Sequence, residues 1–291
     1  MPVIVKLTPN VADVTAVGRA AVQAGADALA LINTINSIVG VDLDTFAPRP
    51  SVRGEGSHGG YCGPAVKPIA LNMVAALAGD PAVTVPIGGI GGSQRWQDVA
   101  EFFLLGASSV QVGTAVMHHG FRIVDHLVDG LDDWLRSKGI ARMGDIIGRS
   151  VPRIRKWGDL DLSSKVVAQI DQDRCIQCGL CYVACEAGCH QSIRWDSVPT
   201  ADYLAAHGNG APLRRSGGIA TLPGPGVCLV NLFAIKTDSC VGCNMCSLVC
   251  PVENCITKTE VDSGRPPMAW EQYQGKLPRG EVEPIGPPAH V

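Results

Sequence analysis

The chain has 291 residues, 46% hydrophobic and 18% charged, so it can bury a core and general disorder is excluded. Its 24 basic and 27 acidic residues leave a formal net charge of −3, which gives no electrostatic reason to expect a nucleic acid or an anionic membrane as partner. Twelve cysteines are the unusual count: Cys62 stands apart, and the other eleven fall between residues 175 and 255.

The opening residues lack a basic segment followed by an apolar run and a small-residue cleavage site, so a cytoplasmic location is expected. The longest uncharged stretch, 216–235, is broken by repeated glycine and proline and predicts no spanning helix. In a reducing compartment, clustered cysteines read first as metal ligands.

Residues 1–138 repeat one pattern, a short β-branched run, a polar or glycine turn and a helical stretch. Strands are predicted at 3–7, 28–32, 83–87 and 109–112, and helices at 11–24, 66–78, 96–105 and 121–136. Continuous apolar strands alternating with helices indicate an α/β fold with a parallel sheet, either open or part of a barrel. Polar residues gather after each strand: Lys6, Asn33-Thr34, Gly88-Gly89 with Gly91-Gly92, and Gly113-Thr114. In such folds the C-terminal strand ends carry the site, and glycine turns there let backbone N–H groups approach a phosphate. Each piece also has a plain reading, as a tight turn, a solvated lysine or a cap; their convergence on one face is what favours a site. The connection 35–60 is long enough to read as a lid. His118-His119 has no second ligand pair nearby and reads as a pair of helix-start histidines.

Five stretches, VKLTPN at 5–10, INT at 32–34, GGYCGPAVKPIAL at 59–71, PIGGI at 86–90 and GASSVQVGTA at 106–115, resemble the FMN barrel of dihydropyrimidine dehydrogenases and dihydroorotate dehydrogenases. The resemblance implies that residues 1–138 are the C-terminal half, units five to eight, of a TIM (β/α)8 barrel. It implies that Lys6 contacts the flavin ring, that Gly63, Ile87, Gly88, Gly89, Gly113 and Thr114 hold the ribityl phosphate of FMN, and that Asn33 and Thr34 bind the pyrimidine. A complete barrel needs about 250 residues, so the resemblance also implies an N-terminally incomplete barrel. No catalytic residue is then expected in this chain, because the family's cysteine acid belongs to the other half. Cys62 sits beside a flavin-contact glycine and does not replace it.

Cys175-x2-Cys178-x2-Cys181-x3-Cys185 and Cys240-x2-Cys243-x2-Cys246-x3-Cys250-Pro251 are two copies of the bacterial ferredoxin spacing. One cluster would use Cys175, Cys178, Cys181 and Cys250, the other Cys240, Cys243, Cys246 and Cys185, since the fourth cysteine of each run serves the opposite cluster. Zinc sites use separated CxxC pairs rather than runs of four. Cys189, Cys228 and Cys255 lie outside the spacing and read as buried or free thiols.

The expected organisation is a partial barrel over 1–138, a linker over 139–168, an α+β 2[4Fe-4S] ferredoxin domain over 169–260 with an insertion near 197–235, and an extended or disordered Pro/Gly-rich tail over 261–291. The stretch VAQIDQDRCIQCGLCYVAC at 167–185 resembles the junction into the ferredoxin module of dihydropyrimidine dehydrogenases. That resemblance implies an oxidoreductase subunit reducing the 5,6 double bond of uracil or thymine through FMN. Electrons would come from NAD(P)H on a partner FAD/iron–sulfur flavoprotein subunit of a hetero-oligomer, because no G-x-G-x-x-G follows a strand here. Two alternatives stand beside it: a non-catalytic iron–sulfur electron-transfer module, and a dihydroorotate dehydrogenase-like enzyme acting on a related cyclic amide.

Overall fold

The computed structural model describes residues 1–188, 190–207 and 229–284, in two compact units, Met1–Arg155 and Lys156–Val291. In the first unit, β1 (Ile4–Lys6) leads to α1 (Val14–Gln23), whose start is capped by Asp13 Oδ1 accepting from the Thr15 and Ala16 N–H groups. Next come β2 (Ala28–Leu31), six short strands β3 (Ile35–Ser37), β4 (Gly40–Val41), β5 (Pro48–Arg49), β6 (Ser51–Val52), β7 (Glu55–Gly56) and β8 (Gly59–Tyr61), then α2 (Lys67–Ala78). β9 (Ile87–Ile90), α3 (Trp96–Leu104), β10 (Ser109–Gln111), α4 (Thr114–His119) and α5 (Ile123–Ser137) complete the series.

β1, β2, β9 and β10 form one parallel sheet in that order, with Ile4 opposite Ala28, Leu29 opposite Ile87 and Ser109 opposite Gly88. Leu29, Leu31, Val74, Leu77 and Phe102 are fully buried in its core, as expected for a sheet covered by crossover helices.

The third strand of the sheet lies later than the β-branched run 83–87 predicts. Pro86 has no N–H to give to a ladder, and pairing begins at Ile87 and runs through Gly88 and Gly89. Glycine is needed inside this strand because a Cβ on Gly89 would stand 2.5 Å from the Phe102 ring of α3. The turn that follows is therefore Gly91-Gly92. The connection 35–60 is built of three small antiparallel pairs, β3 with β8, β4 with β5 and β6 with β7. His118 and His119 end α4 rather than start a helix.

Two boundaries also differ. Residues 139–155 are part of the first unit rather than a linker: Ile146 is fully buried beside Leu131 and Leu135, and the Gly148 and Ser150 N–H groups donate to the carbonyls of Phe103 and Leu104. The expected tail contains α9 (Trp270–Lys276), which buries Tyr273 and stacks it on Trp270.

In the second unit, β11 (Ser164–Ile170), α6 (Leu180–Ala187), β12 (Ile193–Pro199), α7 (Thr200–His207), β13 (Leu229–Ile235), α8 (Met245–Leu248) and β14 (Ile256–Asp262) precede α9. β11 pairs antiparallel with β14 from Ser164↔Asp262 to Ile170↔Ile256, and β12 with β13 from Ile193↔Ile235 to Pro199↔Leu229. Each ribbon thus joins the segment leading into one cysteine run to the segment leaving the other. Ser197 and Ile235, the limits of the expected insertion, lie in the second ribbon; residues 208–228, with Cys228, and Cys189 lie outside the described residues.

Candidate functional site

At the C-terminal ends of the parallel strands, a cleft of about 240 Å³ is lined by Lys6, Asn33, Thr34, Gly63, Gly113 and Thr114, together with Gly91, Gly92 and Ser93. The structure thus brings six of the nine residues expected for flavin and pyrimidine to one place. Ile87, Gly88 and Gly89 are absent from its walls: they are paired within β9, where Gly89 makes room for Phe102.

Their place is taken by the next turn, where Gly91 and Gly92 have φ of +137° and +79°. A Cβ on Gly92 would meet the Lys67 Cβ at 2.8 Å and the Gly63 carbonyl at 2.9 Å, so only glycine allows this turn to pack against the Gly63 turn. Ser93 follows, only 4% exposed, and its Oγ is buried without a hydrogen-bond partner. A buried hydroxyl is normally paired, so an open-sided glycine cradle with an unsatisfied donor fits the phosphate of a flavin mononucleotide. The five-residue glycine pattern 88–92 carried this signal, but strand length, not composition, decided which pair forms the turn.

Asn10 organises the other side. Its Nδ2 donates to the Thr34 carbonyl (3.1 Å) and its Oδ1 accepts from the Asn36 N–H (2.9 Å), tying the loop after β1 to the loop after β2. Asn33 Oδ1 accepts from the Thr34 N–H (2.9 Å), which fixes its amide with Nδ2 left for a ligand. Cys62 and Tyr61, both exposed, complete the wall.

In the second unit the two cysteine loops repeat one backbone shape. Gln177 and Gly179 have φ of 62° and 78°, and Gly242 and Asn244, at the same positions of the second loop, 65° and 73°. α6 and α8 start directly after these turns, carrying Cys181 and Cys246 inward. Cys185, Cys240, Cys243 and Cys246 line a single cavity, so the last cysteine of the first run stands with the first three of the second. Among the described residues no three of these groups converge on a single-ion position.

Thiolate-favouring contacts are in place. The N–H groups of Ala168, Gln177 and Ser192 donate to the sulfurs of Cys240 (3.4 Å), Cys175 (3.4 Å) and Cys185 (3.2 Å). Burial nonetheless dominates: it pushes the Cys181 thiol up to about 12, with Cys175 adding to the shift, and raises Cys175 and Cys246 above the ordinary thiol value. The charges felt by Cys246 are those of Cys240, Cys243 and Cys185, and those felt by Cys175 are Cys178 and Cys250. A metal centre supplies the positive charge that such a thiol group needs in order to ionise, so the donor set fits iron–sulfur clusters. Cys255, outside the spacing, is buried and likewise pushed up to about 12 by burial, with Cys250 and Cys175 adding.

Residues 1–135 match the family described as dihydroorotate dehydrogenase, and residues 167–190 match the 4Fe-4S binding domain. Over 196 residues it is 41% identical to the NAD-dependent dihydropyrimidine dehydrogenase subunit PreA of Escherichia coli K12, covering 67% of this chain and 48% of that protein. It is 45% identical over 147 residues to the catalytic subunit of dihydroorotate dehydrogenase B (NAD(+)) of Pyrococcus abyssi, covering 50% and 47% of the two chains. It is 37% identical over 164 residues to the chloroplastic dihydropyrimidine dehydrogenase (NADP(+)) of Arabidopsis thaliana, covering 55% and 38%. The chain spans about half the length of PreA. The two matches imply a flavin in the first unit and an iron–sulfur cluster in the second. No helix among the described residues is long and apolar enough to cross a membrane.

Proposed function

We propose that the chain belongs to the pyrimidine-reducing FMN/iron–sulfur subunit of an NAD(P)-dependent dihydropyrimidine dehydrogenase. The observation that carries this reading over dihydroorotate chemistry is the reach of the likeness. The match to PreA runs over 196 residues and that to the archaeal dihydroorotate enzyme over 147, so the first takes in sequence beyond the flavin segment. The fused cysteine module supports it, because it offers a route by which electrons from another subunit reach the cleft.

FMN, when bound, supplies hydride transfer to the 5,6 double bond of uracil or thymine. The chain's own residues hold and orient. The turn Gly91-Gly92-Ser93, facing Gly63, Gly113 and Thr114, takes the phosphate, and the Lys6 ammonium stabilises negative charge that develops on the ring system. Asn33 Nδ2 donates to a pyrimidine carbonyl while Oδ1 keeps a lone pair for the ring N–H, and Asn10 keeps the Asn33-Thr34 turn in place. Cys175, Cys178, Cys181 and Cys250 hold one [4Fe-4S] cluster and Cys240, Cys243, Cys246 and Cys185 the other. The partner is an NAD(P)H-oxidising flavoprotein in a cytoplasmic hetero-oligomer.

The test is anaerobic reconstitution of the full chain with iron, sulfide and FMN, followed by assay with the partner flavoprotein and NADH or NADPH. Flavin and iron–sulfur absorbance with consumption of uracil or thymine is expected. Reduction of orotate alone would overturn the substrate assignment, and clusters without bound flavin would favour a pure electron carrier.

A further inference from the structure

The two cysteine runs are near copies, yet the turns that follow them differ by two residues. Six residues separate Cys185 from Ser192, the residue before β12, whereas four separate Cys250 from Cys255, the residue before β14. Both turns reach their strand through a residue of positive φ, Gln191 at 47° and Asn254 at 56°. The position just before that residue is His190 in the first turn and the exposed Glu253 in the second.

His190 is anchored through its backbone, whose N–H donates to the Cys185 carbonyl at 3.3 Å. His190 lines the cavity shared by Cys185, Cys240, Cys243 and Cys246, and its Nδ1 is buried with no hydrogen-bond partner. Ser192, Asn244, Ser247 and Thr257 also line this cavity with side-chain oxygens, Ser192 Oγ donating to the His190 carbonyl at 2.8 Å, yet none of them accepts from Nδ1. Buried polar atoms are ordinarily paired, and in this cavity the acceptors that the donor set predicts are sulfurs of the cluster and its thiolates.

We propose that His190 tunes the cluster held by Cys185, Cys240, Cys243 and Cys246: its Nδ1–H donates a hydrogen bond to a cluster sulfur and raises that cluster's reduction potential. Reduction adds negative charge to the cluster, and an N–H aimed at sulfur stabilises the more negative state. The other cluster has Glu253 at the equivalent position, which offers no such donor. Two sites built from one repeat thereby become electronically unequal, which gives electron transfer between them a preferred direction. The inference rests on the cluster assignment of the preceding subsection.

The experiment uses the reconstituted full chain with its iron and sulfide measured. Redox titration followed by electron paramagnetic resonance gives both midpoints, in the parent chain and in His190→Phe, which keeps a ring without a donor, and His190→Asn, whose amide N–H stands in for Nδ1. Expected is a fall of one midpoint only in His190→Phe, by roughly a tenfold change in the reduction equilibrium, about 59 mV for one electron, with recovery in His190→Asn. Pulsed resonance on chain labelled with 15N-histidine is expected to show a nitrogen coupled to one reduced cluster, lost in His190→Phe. Full iron content with unchanged midpoints and no coupled nitrogen would overturn the role of His190 alone. Failure of the parent chain to take up iron would overturn the cluster assignment and this inference with it.

Discussion

Lys67 Nζ lies 2.6 Å from Asp98 Oδ1, while Asp98 Oδ2 accepts from the Gln94 and Arg95 N–H groups at 2.9 and 2.8 Å. One carboxylate thus joins α2 to the start of α3 and fixes the end of the glycine turn that lines the cleft. Burial pushes Asp98 up, but the bonds from Lys67, Gln94 and Arg95 outweigh it and hold the carboxyl below its ordinary range. Burial likewise lowers Lys67, and Asp98 with Glu101 (2.8 Å) overcomes it, leaving the ammonium raised.

The sign of both shifts sets a pH window. A depressed carboxyl stabilises the fold above the ordinary carboxylate range and loses that contribution as pH falls through its folded value, below about 4. A raised ammonium contributes at neutral pH and loses its contribution only above about 10. Asp98→Ala, which leaves Lys67 with Glu101 alone and the Gln94 and Arg95 N–H groups unpaired, is expected to cost about 3 kcal/mol, read as a lower urea midpoint for the first unit at pH 7. The deficit should shrink at pH 3; an equal deficit at both values would show that the ionised carboxylate is not what matters.

Ser93→Ala is expected to act in opposite directions on ligand and fold. Removing an unsatisfied hydroxyl leaves the flavin-free chain as stable as before or more so, while loss of one hydrogen bond to phosphate weakens FMN by about 1 to 1.5 kcal/mol, roughly five- to thirteenfold in Kd. Gly92→Ala, strained at φ +79° and crowded against Lys67, should weaken FMN further and lower stability as well. Flavin fluorescence quenching and thermal unfolding read the two effects apart.

Cys62 tests whether the cleft is the flavin site without any assay of activity. It is exposed and on the cleft wall, so its alkylation by iodoacetamide, followed by mass spectrometry, should slow at least several-fold once FMN is present. An unchanged rate under saturating FMN would place the flavin elsewhere.

If the proposed ligand assignment holds, Cys185→Ser and Cys181→Ser should each lower the iron content from about eight to about four per chain, because each removes one ligand from a different four-iron cluster. The two variants should lose different resonance signals. Cys255→Ser should keep both clusters, since Cys255 contributes to the core between the runs rather than to a ligand set.

The parallel order of the first unit, its helices and the convergence of Lys6, Asn33, Thr34 and Gly113-Thr114 were legible because periodicity and strand-end polarity are local. So was the place of Cys185 beside Cys240, Cys243 and Cys246, which the spacing of the runs suggests. The displaced third strand was not legible: the rule that β-branched residues make strands favoured 83–87, whereas Phe102, distant in sequence, makes glycine the residue that fits at position 89 of the strand. Ser93 stayed hidden for a similar reason, since an unsatisfied hydroxyl is a property of its surroundings. Asn10 falls between the predicted strand 3–7 and helix 11–24, and only the fold shows its amide bonding to Thr34 and Asn36. The expected linker and tail failed because Ile146 and Tyr273 find buried places that their flanking prolines and glycines do not announce.

The ribbon β11–β14 pairs Ser164 with Asp262 and Ile170 with Ile256. Contacts so far apart in sequence form late, because the closing loop costs entropy before any contact repays it. During synthesis the first cysteine run therefore leaves the ribosome well before β14 exists to close over it. On the proposed ligand assignment, Cys175, Cys178 and Cys181 would wait for Cys250 and Cys185 for the second run, so the unfilled thiols of the first run stand open to oxidation in the meantime.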